Sequence, residues 1–352
     1  MHPSVGIRSI LVCETQVPFV RGGAELLVQQ LVDQLRRRGF TTDKVSVPFQ
    51  WHPKQEVLAH AAAWRLLNLS ESNGQPVDLV IATKFPTYFA RHPRKVCWLV
   101  HQHRAVYELA DTRFSDYAHD ELDVALRRQV MALDEQMLGE CAGCYTISQT
   151  VTDRLARFNG ISAPPLYHPP LLAPRLTPGP YGSYVLSVAR LEDNKRVDLA
   201  VQAIAQVPPG LSLVVVGEGS QRRRIELMAQ SLGVADRVHF AGAVSDDNLV
   251  TLYTGALALV YVPFDEDYGL ATLEGFLAAR PVITATDSGG TREFVTHDET
   301  GLVCDPSPEA IAAAIAQLDA DRSLAARLGD AGRQVAQRIT WDTVIDRLVS
   351  HG

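Results

Sequence analysis

Residues 163–188 read APPLYHPPLLAPRLTPGPYGSYVLSV, and this stretch decides the fold. Prolines stand at Pro164, Pro165, Pro169, Pro170, Pro174, Pro178 and Pro180. A proline has no backbone donor and fixes its own φ, so Ala163–Pro180 can be neither helix nor central strand. It reads as a stiff connector. Beyond it the pattern starts afresh, with Tyr184–Val188 as a short apolar strand of the kind buried in a parallel sheet.

Outward from the connector, short apolar strands alternate with amphipathic helices in both directions, the sequence sign of parallel sheets. Downstream, strands are expected at Ser212–Val216, Val238–Phe240, Leu257–Tyr261 and Val282–Thr284. Helices are expected at Val197–Gln206, Arg222–Leu232, Asp246–Thr254, Ala271–Ala279, Glu309–Leu318 and Ser323–Arg338. Upstream, the strands are Ser9–Val12, Lys44–Val47, Leu79–Ala82, Val96–Val100 and Gly143–Ile147. The upstream helices are Ala24–Arg38, Lys54–Leu69, His119–Glu140 and Val151–Phe158. Leu27, Leu31 and Leu35 keep one face of the first helix inward, Gly39 ends it, and Ser148 stands at the N-cap position of the last. The expected fold is α/β, with two Rossmann-like, doubly wound parallel-sheet domains at 1–165 and 181–339 and a linker at 166–180.

The bulk properties agree with two cores. The 352 residues are 46 % hydrophobic and 21 % charged. A formal charge of -7 argues against nucleic acid as the main partner. The basic runs Arg36-Arg37-Arg38 and Arg222-Arg223-Arg224 read as solvated helix faces. No apolar stretch is long enough to span a membrane, and the N-terminal apolar run is too short for a secretory signal. Cys13, Cys97, Cys141, Cys144 and Cys304 make an odd count, which suggests reduced thiols in a cytoplasmic protein. Cys141 and Cys144 form a CxxC that follows a helix and leads into a strand, so it reads as structural rather than zinc-binding or redox-active.

Four places carry chemistry. Gly22-Gly23 opens the first helix, where unpaired amides and a positive dipole end suit a phosphate; a tight turn needing glycine is the other reading. Arg190 and Lys195 follow the first strand of the second domain, at the sheet edge where ligands bind; they hold a diphosphate or form surface salt bridges with Glu192 or Asp193. Pro263–Glu274 also leaves a strand end and opens a helix. Gly269 and Leu270 would present amides there, Glu274 could accept from a ribose diol, and Glu266 could face a sugar hydroxyl. The same stretch admits a divalent ion at Asp265-x-Asp267; a glycosidase carboxylate pair is disfavoured at a nucleotide-type sheet edge. Finally, His101 ends the strand Val96–Val100; a lone histidine is usually structural, but its place at the carboxyl end of a parallel strand favours a functional reading.

Together these residues resemble the family 4 retaining glycosyltransferases of the GT-B fold. The family's two glutamates, with seven residues between them, are matched by Glu266 and Glu274, with Tyr268-Gly269-Leu270 and Ala279-Arg280-Pro281-Val282-Ile283 around them. Val188-Ala189-Arg190-Leu191 with Lys195-Arg196-Val197-Asp198 is similar to its phosphate-binding segment. Val215–Gly219, Ser288–Glu293, Thr300–Val303 and Gly22-Gly23-Ala24-Glu25 also fit. Asp267, where the family often has glycine, and Ala279 depart from the pattern.

The resemblance implies two domains facing each other across a cleft, with the acceptor taken by the first and the donor by the second. It implies that the final helix, within 340–352, packs back on the first domain. Arg190 and Lys195 would hold the donor diphosphate, Glu274 the ribose and Glu266 the donor sugar. Tyr268, Gly269 and Leu270 would line the sugar and phosphate, Gly242, Ala243 and Val244 the base. Gly22 and Gly23 would close on the diphosphate, and His101 would sit by the transferred sugar. His101, Arg190, Lys195 and Glu266 are thus the expected catalytic group. The expected activity is retaining transfer from a UDP- or GDP-linked sugar to a glycan, lipid-linked or small-molecule acceptor. No metal or cofactor is expected, and peripheral contact with the inner face of a membrane is admitted. The rival functions are a nucleotide-sugar epimerase or hydrolase, or a non-catalytic nucleotide-sugar-binding protein.

Overall fold

A computed structural model describes residues 6–19, 22–110, 112–117 and 120–350. The expected helix start at His119 lies outside the described residues. The chain divides into two compact units, Met1–His168 with Thr340–Gly352, and Pro169–Ile339.

In chain order the first unit carries β1 (Ser9–Gln16), α1 (Gly23–Arg37), β2 (Thr41–Pro48), α2 (Val57–Leu66), a small hairpin of β3 (Glu71–Ser72) and β4 (Gln75–Pro76), β5 (Leu79–Ala82), β6 (Lys95–Leu99), α3 (Glu121–Gly139), β7 (Gly143–Thr146) and α4 (Gln149–Asn159). The second carries β8 (Tyr184–Val188), α5 (Val197–Gln206), β9 (Ser212–Val216), α6 (Arg222–Ser231), β10 (Val238–Gly242), α7 (Asp246–Gly255), β11 (Ala258–Val260), α8 (Leu270–Leu277), β12 (Val282–Ala285), β13 (Gly301–Cys304), α9 (Pro308–Ala320) and α10 (Arg322–Gln337). The last helix is α11 (Trp341–Val349).

The first unit's main sheet is five-stranded in the order β2-β1-β5-β6-β7, and the second unit's is six-stranded in the order β10-β9-β8-β11-β12-β13. All ladders in both are parallel. Parallel sheets covered on both faces need continuous apolar strands, and β5, β6, β11 and β12 are buried at every position. Leu27, Leu31 and Leu35 face inward on α1. Gly39, at φ 90°, turns the chain out of that helix. Ser148 caps α4 by accepting from the Val151 amide at 3.1 Å.

Strand β1 runs past Val12 to Gln16 because its polar end is satisfied inside the protein. Glu14 is paired with Lys44 at 2.8 Å and accepts from the Ser46 hydroxyl at 2.8 Å. The edge strand β13 and the β3–β4 hairpin are additions to the expected pattern; both are too short to show a period. Helix α11 seats Val344, Ile345 and Leu348 against the first unit. Its Trp341 ring lies 6.1 Å from Trp98 and 5.9 Å from His168.

The proline-rich stretch is bound to its surroundings. At its start the Leu166 amide donates to the Thr146 carbonyl at 2.8 Å, within the first unit. At its end the buried Arg280 donates to the carbonyls of Gly179, Ala256 and Ala278. The Arg280 guanidinium lies 4.1 Å from the centroid of the Tyr181 ring, whose hydroxyl donates to the Ala279 carbonyl at 3.1 Å. One cation thus ties the end of the connector to β11 and the α8–β12 turn. Arg280→Ala leaves those carbonyls dry and unpaired, so it is expected to cost about 3–5 kcal/mol. Urea unfolding checks this, and a midpoint equal to wild type would contradict it.

Candidate functional site

The strand order of the second unit reverses between β8 and β11. Ligands of doubly wound sheets bind outside the carboxyl ends of the strands at such a reversal. The chain leaving β8 carries Arg190 and Lys195, and the chain leaving β11 carries Glu266 through Leu270.

Arg196 locks these connections together. Its guanidinium binds the Asp287 carboxylate through two bonds, at 2.8 and 2.6 Å, and donates to the carbonyls of Val262 at 2.8 Å and Pro263 at 2.9 Å. Arg196 itself sits at φ 50°, a left-handed position unusual for a side-chain-bearing residue. Backbone bonds complete the lock: Phe264 N to Asn194 O at 2.7 Å, Asp265 N to Asp287 O at 2.9 Å, and Gly290 N to Glu266 O at 2.7 Å. A side chain on Gly290 would meet the Asp267 carbonyl oxygen at 2.5 Å, so the loops close only around glycine.

Lys195 and Glu266 are brought together as a salt bridge, with side chains 11 % and 16 % exposed. Tyr261 is buried beside the same glutamate, and burial with the nearby Glu266 and Glu274 charges holds its phenol well above the usual range. Gly269, at φ 83°, is the N-cap of α8 and has no Cβ to strike the Thr291 hydroxyl, which would lie 2.7 Å away. Leu270 opens the helix behind it. Tyr268 is buried edge-on against Phe294 at 5.5 Å. Arg190 is exposed, and its side chain makes no ion pair with another described residue. Gly242, at φ 67°, closes β10 beside the Glu218–Arg222 pair, and Ala243 and Val244 follow it.

Glu274 has a neighbour that the sequence did not suggest. Its Oε2 accepts from the buried Tyr253 hydroxyl at 2.7 Å. Burial pushes its carboxyl up to about 7, the Tyr253 hydrogen bond opposes the rise, and the Asp246 charge adds to it.

In the first unit the strand order reverses between β1 and β5. Gly22 is the N-cap of α1 and Gly23 its first residue, so the glycine pair stands at that edge. His101 follows β6, half-buried, with Nδ1 at 2.7 Å from the Gln102 carbonyl oxygen. His103 is held neutral: burial, then the His101 charge, bring it down to about 4, against an opposing pull from Asp116. Sequence reasoning passed over Arg196, Asp287, Tyr253 and Lys84. Arg196 lay inside a quoted motif, but its role depends on a partner 91 residues away. Among the described residues no group of three or more histidine, cysteine or acidic side chains is placed to hold a metal ion, and no helix is long and apolar enough to cross a membrane.

Comparison with known proteins follows this division. Residues 180–335 match the family described as Glycosyl transferases group 1. This segment belongs to that family. The group 1 segment holds Arg190, Lys195, Glu266 and Glu274 together. A GDP-mannose-dependent alpha-(1-6)-phosphatidylinositol monomannoside mannosyltransferase of Mycobacterium tuberculosis is 37 % identical over 178 residues, 47 % of this chain and 46 % of that protein. The chain spans about half the length of the curated relatives it matches. Among solved structures, sucrose-phosphate synthase of Thermosynechococcus elongatus superposes with a TM-score of 0.72, at 21 % identity, over 97 % of each chain. Anabaena HepE in complex with UDP and glucose gives 0.71 at 16 % identity, over 97 % of this chain and 98 % of that one. The fold is GT-B, built from two Rossmann-like domains.

The buried acid Glu274 has a measurable signature. An acid with a folded pKa above its unfolded value holds its proton more tightly when folded. Glu274 therefore removes stability as pH rises from about 4.5 through about 7. Glu274→Gln stays neutral and keeps an acceptor for Tyr253. Its thermal midpoint, relative to wild type, should climb by about 2–4 °C between about pH 5 and about pH 8. A difference constant over that range would refute the assignment.

Proposed function

We propose that this chain is a glycosyltransferase that moves a sugar from a nucleoside diphosphate donor to an acceptor hydroxyl. The observation that carries the reading is the Lys195–Glu266 pair at the strand reversal, beside the open start of α8, in a segment of the group 1 family. A cation and a helix start at one sheet edge suit a diphosphate leaving group. A carboxylate next to them suits the hydroxyls of the attached sugar.

In the ligand-free chain Glu266 neutralises Lys195. An arriving diphosphate takes that partner's place and frees the carboxylate to accept from the sugar. Arg190, unpaired in the described structure, adds its planar fork to the same phosphates. Glu274 takes the ribose diol, Gly269 and Leu270 give amides, and Gly242–Val244 border the base. In the first unit, the Gly22-Gly23 turn offers backbone to phosphate, and His101 stands by the sugar. The bond from the sugar's anomeric carbon to phosphate oxygen breaks as a bond to the acceptor oxygen forms on the same face. The acceptor proton passes to the departing phosphate oxygen, so configuration is retained and the diphosphate charge is met by side chains and amides. Each such charge-assisted bond contributes about 1.5–3 kcal/mol, roughly ten- to a hundredfold in rate when felt in the transition state.

GDP-mannose is the first donor to test, since the mycobacterial relative is named for it, with UDP-glucose second because HepE was solved with UDP and glucose. The acceptor class is a glycan, lipid-linked or small-molecule hydroxyl. The cytoplasm is the proposed compartment, in keeping with cysteines that all stand as free thiols.

Product analysis with and without an acceptor pool tests the reading against an epimerase or hydrolase, because only a transferase needs the acceptor. Lys195→Ala should lower kcat by about 10- to 100-fold while the protein stays folded. Transfer at the wild-type rate by that variant would sink the proposal. Glu266→Gln removes the internal competitor for Lys195. It should bind GDP or UDP at least about 2-fold tighter by calorimetry while transferring sugar more slowly. Weaker nucleotide binding by this variant would contradict the exchange of partners.

A further inference from the structure

Lys84 is a cation that the proposed chemistry leaves unused, and it is only 9 % exposed. It follows β5 at the strand reversal of the first unit, across from the chain leaving β1. Its Nζ donates to Glu25 Oε1 at 2.6 Å. The other oxygen of that carboxylate, Oε2, accepts from the Gly22 amide at 2.8 Å. Glu25 is therefore a bridge with one end on the lysine and the other on the glycine turn. It also stands third in α1, where a glutamate reaching back to the N-cap amide fixes the entry of the chain into the helix.

The far end of the bridge is rigid. The Thr87 hydroxyl accepts from the Thr83 amide at 2.9 Å and the Lys84 amide at 3.2 Å, and donates to the Lys84 carbonyl at 2.7 Å. Thr83 donates from its hydroxyl to Cys13 O at 2.7 Å, and Thr15 to Phe85 O at 3.0 Å, which fastens the segment to β1. The Val100 amide donates to Thr83 O at 2.7 Å and the Phe85 amide to His101 O at 3.4 Å, which fastens it to the end of β6. Burial alone would raise the Glu25 carboxyl, but the Lys84 charge and the hydrogen bonds from Lys84 and Gly22 bring it below its ordinary value. Such a carboxylate stays ionised and keeps both bonds at neutral pH.

We infer that Lys84 is a positioning residue which, through Glu25, sets the Gly22-Gly23 turn relative to β1, β5 and His101 so that the turn's backbone meets its phosphate. The consequence for the reaction rests on the proposed function, in which that turn contacts the donor diphosphate. The positioning itself does not.

Four variants of the full chain test it: Lys84→Met, Glu25→Gln, the two combined, and the conservative Lys84→Arg. Lys84→Met and Glu25→Gln should each speed amide hydrogen exchange across Gly22–Leu26 by about tenfold or more. Each should lower kcat/KM by about 10- to 100-fold, mainly through the donor KM. The double variant should be no worse than the singles, because both break one chain of contacts. Lys84→Arg should recover most of the loss. Unchanged exchange in both folded single variants would overturn the inference, as would faster exchange with an unchanged donor KM. If Lys84→Met fails to fold, Glu25→Gln carries the test, since it keeps the side chain's size and breaks its ion pair with Lys84. If the wild-type chain transfers no sugar, the proposed function falls and the exchange measurement alone decides the inference.

Discussion

The second unit depends on one guanidinium. Arg196 spans the gap that opens where β8 and β11 send their chains in different directions, and it ends on Asp287 beyond β12. A reversal in strand order leaves a crevice because no crossover covers it. Without a tie, the loops around such a crevice would move independently and hold no ligand well. Four bonds to one side chain remove that freedom and offset the left-handed backbone on which Arg196 sits. Lys195 is its neighbour in the chain, so fixing Arg196 also fixes the lysine against Glu266.

The first unit solves the same problem differently. Its reversal is braced by Lys84 and Glu25, and the backbone there is held by threonine hydroxyls rather than by an arginine fork. Both edges use buried or half-buried charges that are paired within the protein. Burying an ion is costly unless it is paired and hydrogen-bonded, so these pairs are held in place by the penalty for separating them. Lys195 and Glu266 stand apart from the two braces. They hold each other but no backbone around them.

Most of the fold was legible in the sequence because parallel strands are continuously apolar and their helices are amphipathic. Tyr184–Val188, Ser212–Val216, Leu79–Ala82 and Val197–Gln206 were read to the residue. The strand signal failed where burial was achieved by pairing rather than by apolar side chains, as at Glu14 and Thr15 in β1. It failed also for β13, which is four residues long and begins at a glycine packed on Val282. The residues expected at the site were legible from their places after strand ends. Their partners were not. Nothing in local sequence shows that Glu274 would meet Tyr253, or that Arg196 would reach Asp287, since these pairs lie 21 and 91 residues apart. The glycine turn was visible, but the lysine that steadies it lies 59 residues from Glu25 and belongs to no motif.

The first unit is assembled from two separate pieces of chain, Met1–His168 and Thr340–Gly352. During synthesis the ribosome delivers the seat for Trp341, around Trp98 and His168, long before it delivers the tryptophan. At about 5–20 residues per second, the second unit takes roughly ten to thirty seconds to emerge in between. Through that interval Trp98 and His168 lack the ring that packs against them in the finished chain. The order of translation thus brings α11 to the first unit only after everything between has been made.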